Sequence, residues 1–140
     1  MRIRAFADSD EERVVALWLH CGLVRPWNDP RKDIARKKRV QRELFLVAEE
    51  GGEIVGSVMA GYDGHRGWVN YLAVHESLRR GGLGRALMAE VETRLRASGC
   101  PKLNLQVRND NAAALGFYER LGFQRDEAVS LGKRLESDER

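Results

Sequence analysis

Two groups of residues in this sequence have the types and the spacing to do chemistry. The first is Arg79, Arg80, Gly81, Gly82, Leu83, Gly84 and Arg85, where the apolar alternation of "WVNYLAV" passes through "RRGGLG" into a helical pattern. Glycine is costly beside a helix, so three of them need a reason. The first amides of a helix have no internal partner and its dipole favours negative charge there, while glycine lets the main chain approach an anion closely. Arginines at either side add mobile positive charge. The segment therefore reads as a phosphate-binding turn. No Lys followed by Ser or Thr comes after the glycines, which argues against a nucleoside triphosphate loop. Leu87 stands where a dinucleotide fingerprint needs its third glycine, and "KLNLQV" ends without the acidic residue a ribose would want, so that reading fails twice. The second group lies in "NAAALGFYERLGF". Tyr118 carries a hydroxyl that can donate a proton, or simply packs its ring; Asn111 is placed either to cap a helix or to touch a ligand.

The elements that must hold these groups follow from periodicity. "MRIRAF" alternates as a strand, and in "SDEERVVALWLHCG" Ser9 and Glu12 are spaced as a capping box, with Val14, Leu17, Trp18 and Cys21 on one helical face and Gly22 as the stop. After the loop "LVRPWNDP", Asp29 and Pro30 form the N-cap and first residue of a second helix running to about Gln41. "LFLVAE" and "EIVGSVMAGY" read as a hairpin joined at "EGGE", and "DGHRG" leads to a fourth strand, "WVNYLAV". A helix from about Leu83 to Ser98 places Leu83, Leu87, Val91 and Leu95 on one stripe, with Gly99 as its stop. "KLNLQV" is the fifth strand. Strand, helix, strand makes a crossover, so strands four and five should run parallel in an otherwise antiparallel sheet. "NAAALGFYERLG" is a short helix, and "FQRDEAVSLGKRL" supplies one or two closing strands, six or seven in all.

Length and charge bound the rest. The 140 residues, read as one domain over 1–140, are enough for a single core. No apolar run approaches a membrane span, and "MRIRAFADSD" lacks the apolar core of a secretory signal; Cys21 and Cys100 show no metal spacing and read as reduced thiols. A cytoplasmic protein without metal or membrane is expected. The net charge of +3 does not by itself imply nucleic acid. Seven of the twelve residues from Arg31 to Arg42 are basic. That run could touch an acidic partner or nucleic acid, but it has no interleaved aromatics and reads as a solvated helix face.

The chain resembles the GNAT N-acetyltransferases. The family's motif of Arg or Gln, two residues, Gly, one residue, then Gly or Ala is matched by Arg79, Gly82 and Gly84, and its later motif by Asn111, Ala114, Tyr118, Gly122 and Phe123 in order. The resemblance is strong from Leu44 to Phe123. The loops "RPWNDP" and "GYDGHRG" look like those of small bacterial YpeA-type members, with Ala60 in place of a first glycine. The resemblance implies a mixed α/β fold with about four helices and splayed strands four and five. It implies acetyl-CoA as co-substrate, with its pyrophosphate on Arg79 to Arg85 and its pantetheine along the free edge of strand four at Leu72, Ala73 and Val74. It implies transfer to a primary amine of a small molecule, protein or peptide by direct attack in a ternary complex, and a homodimer is among its expectations.

Within the resemblance Tyr118 is the acid for the departing thiol, and Asn111 and Tyr118 border the cofactor. The base is open: strand four offers Asn70 and Tyr71 but no carboxylate, leaving His65, Asp63, Asp29 or a water chain. Cys100 has no neighbouring His and is a poor nucleophile. Trp27, Asn28 and Asp29 overhang the acceptor side in this family and would suit a cationic amine, although Trp27 could instead cover the core and Asp29 could only cap its helix. A non-catalytic acyl-CoA-binding regulator, or an interaction protein using the basic face, is the alternative; the intact Tyr118 argues for the enzyme.

Overall fold

A computed structural model of the chain describes residues 1–139. The elements run β1 (Arg2–Ala5), α1 (Glu11–His20), α2 (Pro30–Lys37), β2 (Phe45–Glu50), β3 (Glu53–Tyr62), β4 (Gly67–Val74), α3 (Leu83–Ala97), β5 (Leu103–Leu105) and α4 (Ala112–Arg120). The five strands lie in sequence order in one sheet, antiparallel from β1 to β4, with β5 parallel to β4. The crossover through α3 explains that change of sense, because a parallel neighbour cannot be reached by a tight hairpin.

Each face of the sheet has its own core. On one, Val14, Leu17 and Trp18 of α1 and Ile34 of α2 pack on Phe45, Val47, Met59 and Ala73. On the other, the stripe Leu83, Leu87, Val91 and Leu95, all buried, packs on Leu46, Val58, Ala60 and Val69. The α2 helix buries only Ile34, and most of its other residues are charged.

Three expectations need correction. The closing strands foreseen in "FQRDEAVSLGKRL" do not form, so the sheet has five strands rather than six or seven among the described residues. That segment alternates poorly, and Val129 and Leu131 remain 85% and 91% exposed, so no apolar face holds it on the sheet. The second helix stops at Lys37 rather than Gln41, because Gln41 turns into the left-handed region (φ 53°) to exchange hydrogen bonds with the Tyr62 backbone at 2.8 and 2.9 Å. At α1 the cap belongs to Asp10, not to Ser9 and Glu12. A short 3₁₀ turn, Asp8–Asp10, precedes the helix, and the buried Asp10 carboxylate accepts from the Ala7 amide at 2.8 Å while pairing with Arg4 and Arg13. Two guanidiniums over one carboxylate outcompete a capping serine.

Candidate active site

Strands β4 and β5 pair only over Gly67–Val69 and Leu103–Leu105. Beyond Val69 they part, so Ala73 and Val74 are paired with β3 on one side, and Leu72, Ala73 and Val74 are all free of β5 on the other. The divergence starts at a bulge. Ser57 faces Ala73 and Met59 faces Asn70, so Val58 alone stands opposite both Tyr71 and Leu72. Tyr71 has a φ of 53°, a left-handed conformation that costs a non-glycine residue about 1–2 kcal/mol.

The glycine turn lies at the open end of this gap. Gly82, with a φ of 85°, is the N-cap of α3, and no side chain among the described residues caps the helix. The first helical bond runs from Ala86 N–H to Gly82 C=O at 3.0 Å, which leaves the amides of Leu83, Gly84 and Arg85 ahead of the ladder. A Cβ on Gly82 would meet nothing within 4 Å, so the space before those amides is open. Arg80 is also left-handed (φ 70°), and Arg80 and Arg85 are exposed. Arg79 is held back by its Nε bond to the Val74 carbonyl at 3.2 Å.

Gly81 and Gly84 have other reasons to be glycine. A Cβ on Gly81 would sit 3.2 Å from the Leu78 carbonyl oxygen, and one on Gly84 would sit 3.1 Å from the Phe117 ring. Gly84 thus admits α4 close to α3, beside Tyr118. Gly84→Val is expected to lower stability by roughly 1–3 kcal/mol through overpacking, read as a drop in Tm without loss of secondary structure; a wild-type Tm would show that Phe117 yields freely.

Tyr118 is held edge-on between Phe117 and Phe123, with ring centroids 5.1 and 5.6 Å away, and burial pushes its phenol up to about 12. It therefore stays protonated across the neutral range. Asn111 caps α4, its Oδ1 accepting from the Ala114 amide at 3.0 Å. A trough of about 1120 Å³ runs along β5 between Trp68, Leu105, Tyr118 and residues 124–126 and 128–130, and does not include the glycine turn. A phosphate would be held by free amides and cations rather than by cavity volume, so the turn is the better anion site.

Trp27, Asn28 and Asp29, the residues expected on the acceptor side, are gathered near α2. Asp29 caps that helix, accepting from the amides of Arg31 and Lys32 at 2.9 and 3.3 Å. Asn28 accepts from Arg134 at 2.8 Å, and the Asp29 amide donates to Asp138, whose carboxyl is held well below the usual range, above all by Arg36. Trp27 is exposed, with the Arg108 guanidinium 5.8 Å from its ring, so a residue following β5 meets the first interhelical loop. Asp63 and His65 lie in the β3–β4 turn, at the opposite end of β4 from Leu72, where Asp63 accepts from the amides of His65 and Arg66 at 2.8 and 2.7 Å. The sequence reading missed Asp33: α2 delivers its carboxylate to Tyr71, whose hydroxyl donates to it at 2.6 Å. Nothing in the local pattern marks which helix face meets β4.

The family model for the acetyltransferase (GNAT) family matches residues 7–123. The chain belongs to the GNAT family. An acetyltransferase of Yersinia enterocolitica is 55% identical over 99% of both chains. Among solved structures, the ribosomal-protein-S18-alanine N-acetyltransferase of Escherichia coli matches with a TM-score of 0.75 at 23% identity, covering 89% of this chain and 78% of that one. An aminoglycoside N-acetyltransferase in complex with CoA matches with a TM-score of 0.76 at 18% identity, covering 96% and 94%. The parallel β4–β5 pair and the flanking helices are therefore those of a GNAT acetyltransferase.

The basic run from Arg31 to Arg42 is largely committed within the chain. Arg31 pairs with Glu11 and Glu12, Arg36 with Asp33, Glu136 and Asp138, and Lys38 and Arg42 with Asp8. Lys37 is half-buried, and desolvation lowers its pKa. Reversing the exposed Lys32 and the nearby Arg39 to Glu is expected to leave acetyl transfer within about threefold, since surface charges away from a site contribute little. Salt-sensitive sub-micromolar binding of RNA or DNA by the wild type at about 0.15 M salt would instead make that face a nucleic-acid surface.

Proposed function

We propose that the chain moves an acetyl group from acetyl-CoA to a primary amine by direct attack within a ternary complex. The observation that carries this reading is the open amide turn at the start of α3, lying beside the unpaired edge of Leu72–Val74. The residues fit the co-substrate on two counts. The amides of Leu83, Gly84 and Arg85, with Arg80 and Arg85 alongside, suit a pyrophosphate, and a free strand edge suits the amides of pantetheine. When bound, acetyl-CoA supplies the thioester carbonyl that the amine attacks.

The chain's own contribution is positioning and polarity. The β4 backbone after the bulge aims its amides into the gap between β4 and β5, where an N–H can stabilise charge developing on the carbonyl oxygen. Tyr118, kept neutral by burial, donates a hydrogen bond toward the leaving sulfur. Asn111 stays near this site as the cap that fixes where α4 begins. Arg79, tied to Val74, links the turn to the strand edge and adds charge beside it.

The acceptor is an amine presented from the side of Trp27, Asn28 and Asp29. Its identity is not carried by the fold, since two neighbours of similar TM-score are named for a ribosomal-protein alanine and for aminoglycosides. The reading includes work in the cytoplasm, by a monomer or a homodimer. A panel of amines and peptide N-termini, screened for acetyl-CoA-dependent thiol release, tests it. Release above the no-acceptor rate with an acetylated product by mass supports transfer; acetyl-CoA binding with no product from any amine would favour an acyl-CoA-binding regulator.

A further inference from the structure

The bulge in β4 is the least expected feature of the molecule, because a tyrosine occupies a left-handed position that glycine would take without strain. Strain of this kind persists where the surroundings over-determine it. Tyr71 is held from three elements. Its ring stacks on Trp18 of α1 at 3.8 Å between centroids and 10° between planes. Its carbonyl accepts from Ser57 Oγ of β3 at 2.9 Å, and that fully buried hydroxyl accepts from Trp18 Nε1 at 2.8 Å. Its hydroxyl donates to Asp33 Oδ2 of α2 at 2.6 Å, while Asp33 Oδ1 accepts from Arg36 at 3.1 Å. Burial and the Asp33 carboxylate both push the phenol above its ordinary range, so it remains a donor at any working pH.

We infer that Asp33 and Tyr71, with Trp18 and Ser57 behind them, are positioning residues: they lock the β4 bulge that opens the gap to β5 and aims the Leu72–Val74 backbone at the reacting carbonyl. The inference rests on the acetyl-transfer reading above, and extends it to residues that belong to no motif of the glycine turn or of α4. The bond from Tyr71 to Asp33 also ties the bulge to the helix that Asp29 caps, so the acceptor-side loop and the catalytic strand share one support. A carboxylate beside β4 invites a second role, as proton acceptor for the amine, and the two roles make different demands. Positioning needs only an acceptor for the Tyr71 hydroxyl, which an amide oxygen supplies. Proton transfer needs the carboxylate itself.

The test uses Tyr71→Phe, Asp33→Ala, Asp33→Asn and the double variant Tyr71→Phe/Asp33→Ala in the full chain. Tyr71→Phe and Asp33→Ala should each lower kcat about 10- to 100-fold, the scale on which displacement of reacting groups acts. The double variant should fall no further than the worse single, since both remove one bond. Asp33→Asn should retain kcat within about threefold and keep the wild-type pH profile. Backbone amide resonances of Tyr71 to Val74 supply an acceptor-independent readout: they should shift in Tyr71→Phe and Asp33→Ala and stay near wild type in Asp33→Asn. Multiplying losses, an Asp33→Asn variant as impaired as Asp33→Ala, or unmoved resonances in Tyr71→Phe would overturn the inference. Failure of the acetyl-transfer reading shows separately, as a wild-type protein that acetyl-CoA does not stabilise.

Discussion

Gly82→Asp is expected to abolish the stabilisation that acetyl-CoA confers on the wild-type protein. A ligand at 100 times its Kd stabilises a folded chain by about 2.7 kcal/mol, which for a domain of this size raises Tm by roughly 10 °C. Two effects combine in the variant. Gly82 has a φ of 85°, a conformation costly for a side chain, and its missing Cβ faces the open space in front of the α3 amides. A carboxylate there would itself cap those amides and repel a phosphate. Gly82→Asn separates the contributions, because asparagine tolerates the left-handed region and carries no charge. It should keep part of the thermal shift while Gly82→Asp keeps none. A full shift in Gly82→Asp, with secondary structure intact by circular dichroism, would remove the turn from the cofactor site.

Tyr118→Phe should leave acetyl-CoA affinity nearly unchanged and lower kcat by about 10- to 1000-fold. The substitution keeps the ring that Phe117 and Phe123 hold edge-on, so the local packing survives. Only the hydroxyl is lost. Its environment also sets the pH behaviour. Burial raises the phenol to about 12, so the neutral, donating form persists through the alkaline range and Tyr118 contributes no fall in rate until pH nears that value. Against a thiol near 8.5, complete proton transfer from such a phenol is uphill by about 3.5 pKa units. In the proposed reaction the hydroxyl would therefore act by donating a hydrogen bond to the sulfur as charge develops rather than by full proton transfer. The measurement is kcat across pH for both proteins with an acceptor that makes chemistry rate-limiting. Equal values would mean the thiolate leaves unaided and the acid role would fall, with the glycine turn unaffected.

Much of this architecture follows from local patterns. Alternation in "LFLVAE" and "WVNYLAV", the spacing of Leu83, Leu87, Val91 and Leu95, and the Asp29–Pro30 start of α2 are decided within a few residues of chain, where periodicity and capping act. The order strand, helix, strand settles the parallel β4–β5 pair, because chain connectivity permits little else. The places of the glycine turn at the start of α3 and of Tyr118 on α4 were legible for the same reason: helix-start chemistry and a short motif are properties of adjacent residues.

What the tertiary structure decided is which distant groups meet. Gly84 reads as part of an anion turn, yet its missing Cβ makes room for Phe117, a contact across 33 positions that no spacing rule encodes. The basic run looks like an open cationic face, and Glu11, Glu12, Asp8, Glu136 and Asp138 take up much of its charge from elsewhere in the chain. Asp63 and His65, candidates for the base by residue type, are carried to the far end of β4 by the hairpin they close. Strand four offers Asn70 and Tyr71 but no carboxylate of its own; the docking of α2 brings Asp33 to Tyr71. Helix docking is governed by the summed burial of faces such as Ile34 and Trp18 against the sheet, a long-range sum to which the polar residues riding on those helices add little. The sequence determined the five strands that form, the helices and the glycine turn, while packing determined that the closing segment stays off the sheet and that Asp33 is the carboxylate facing β4.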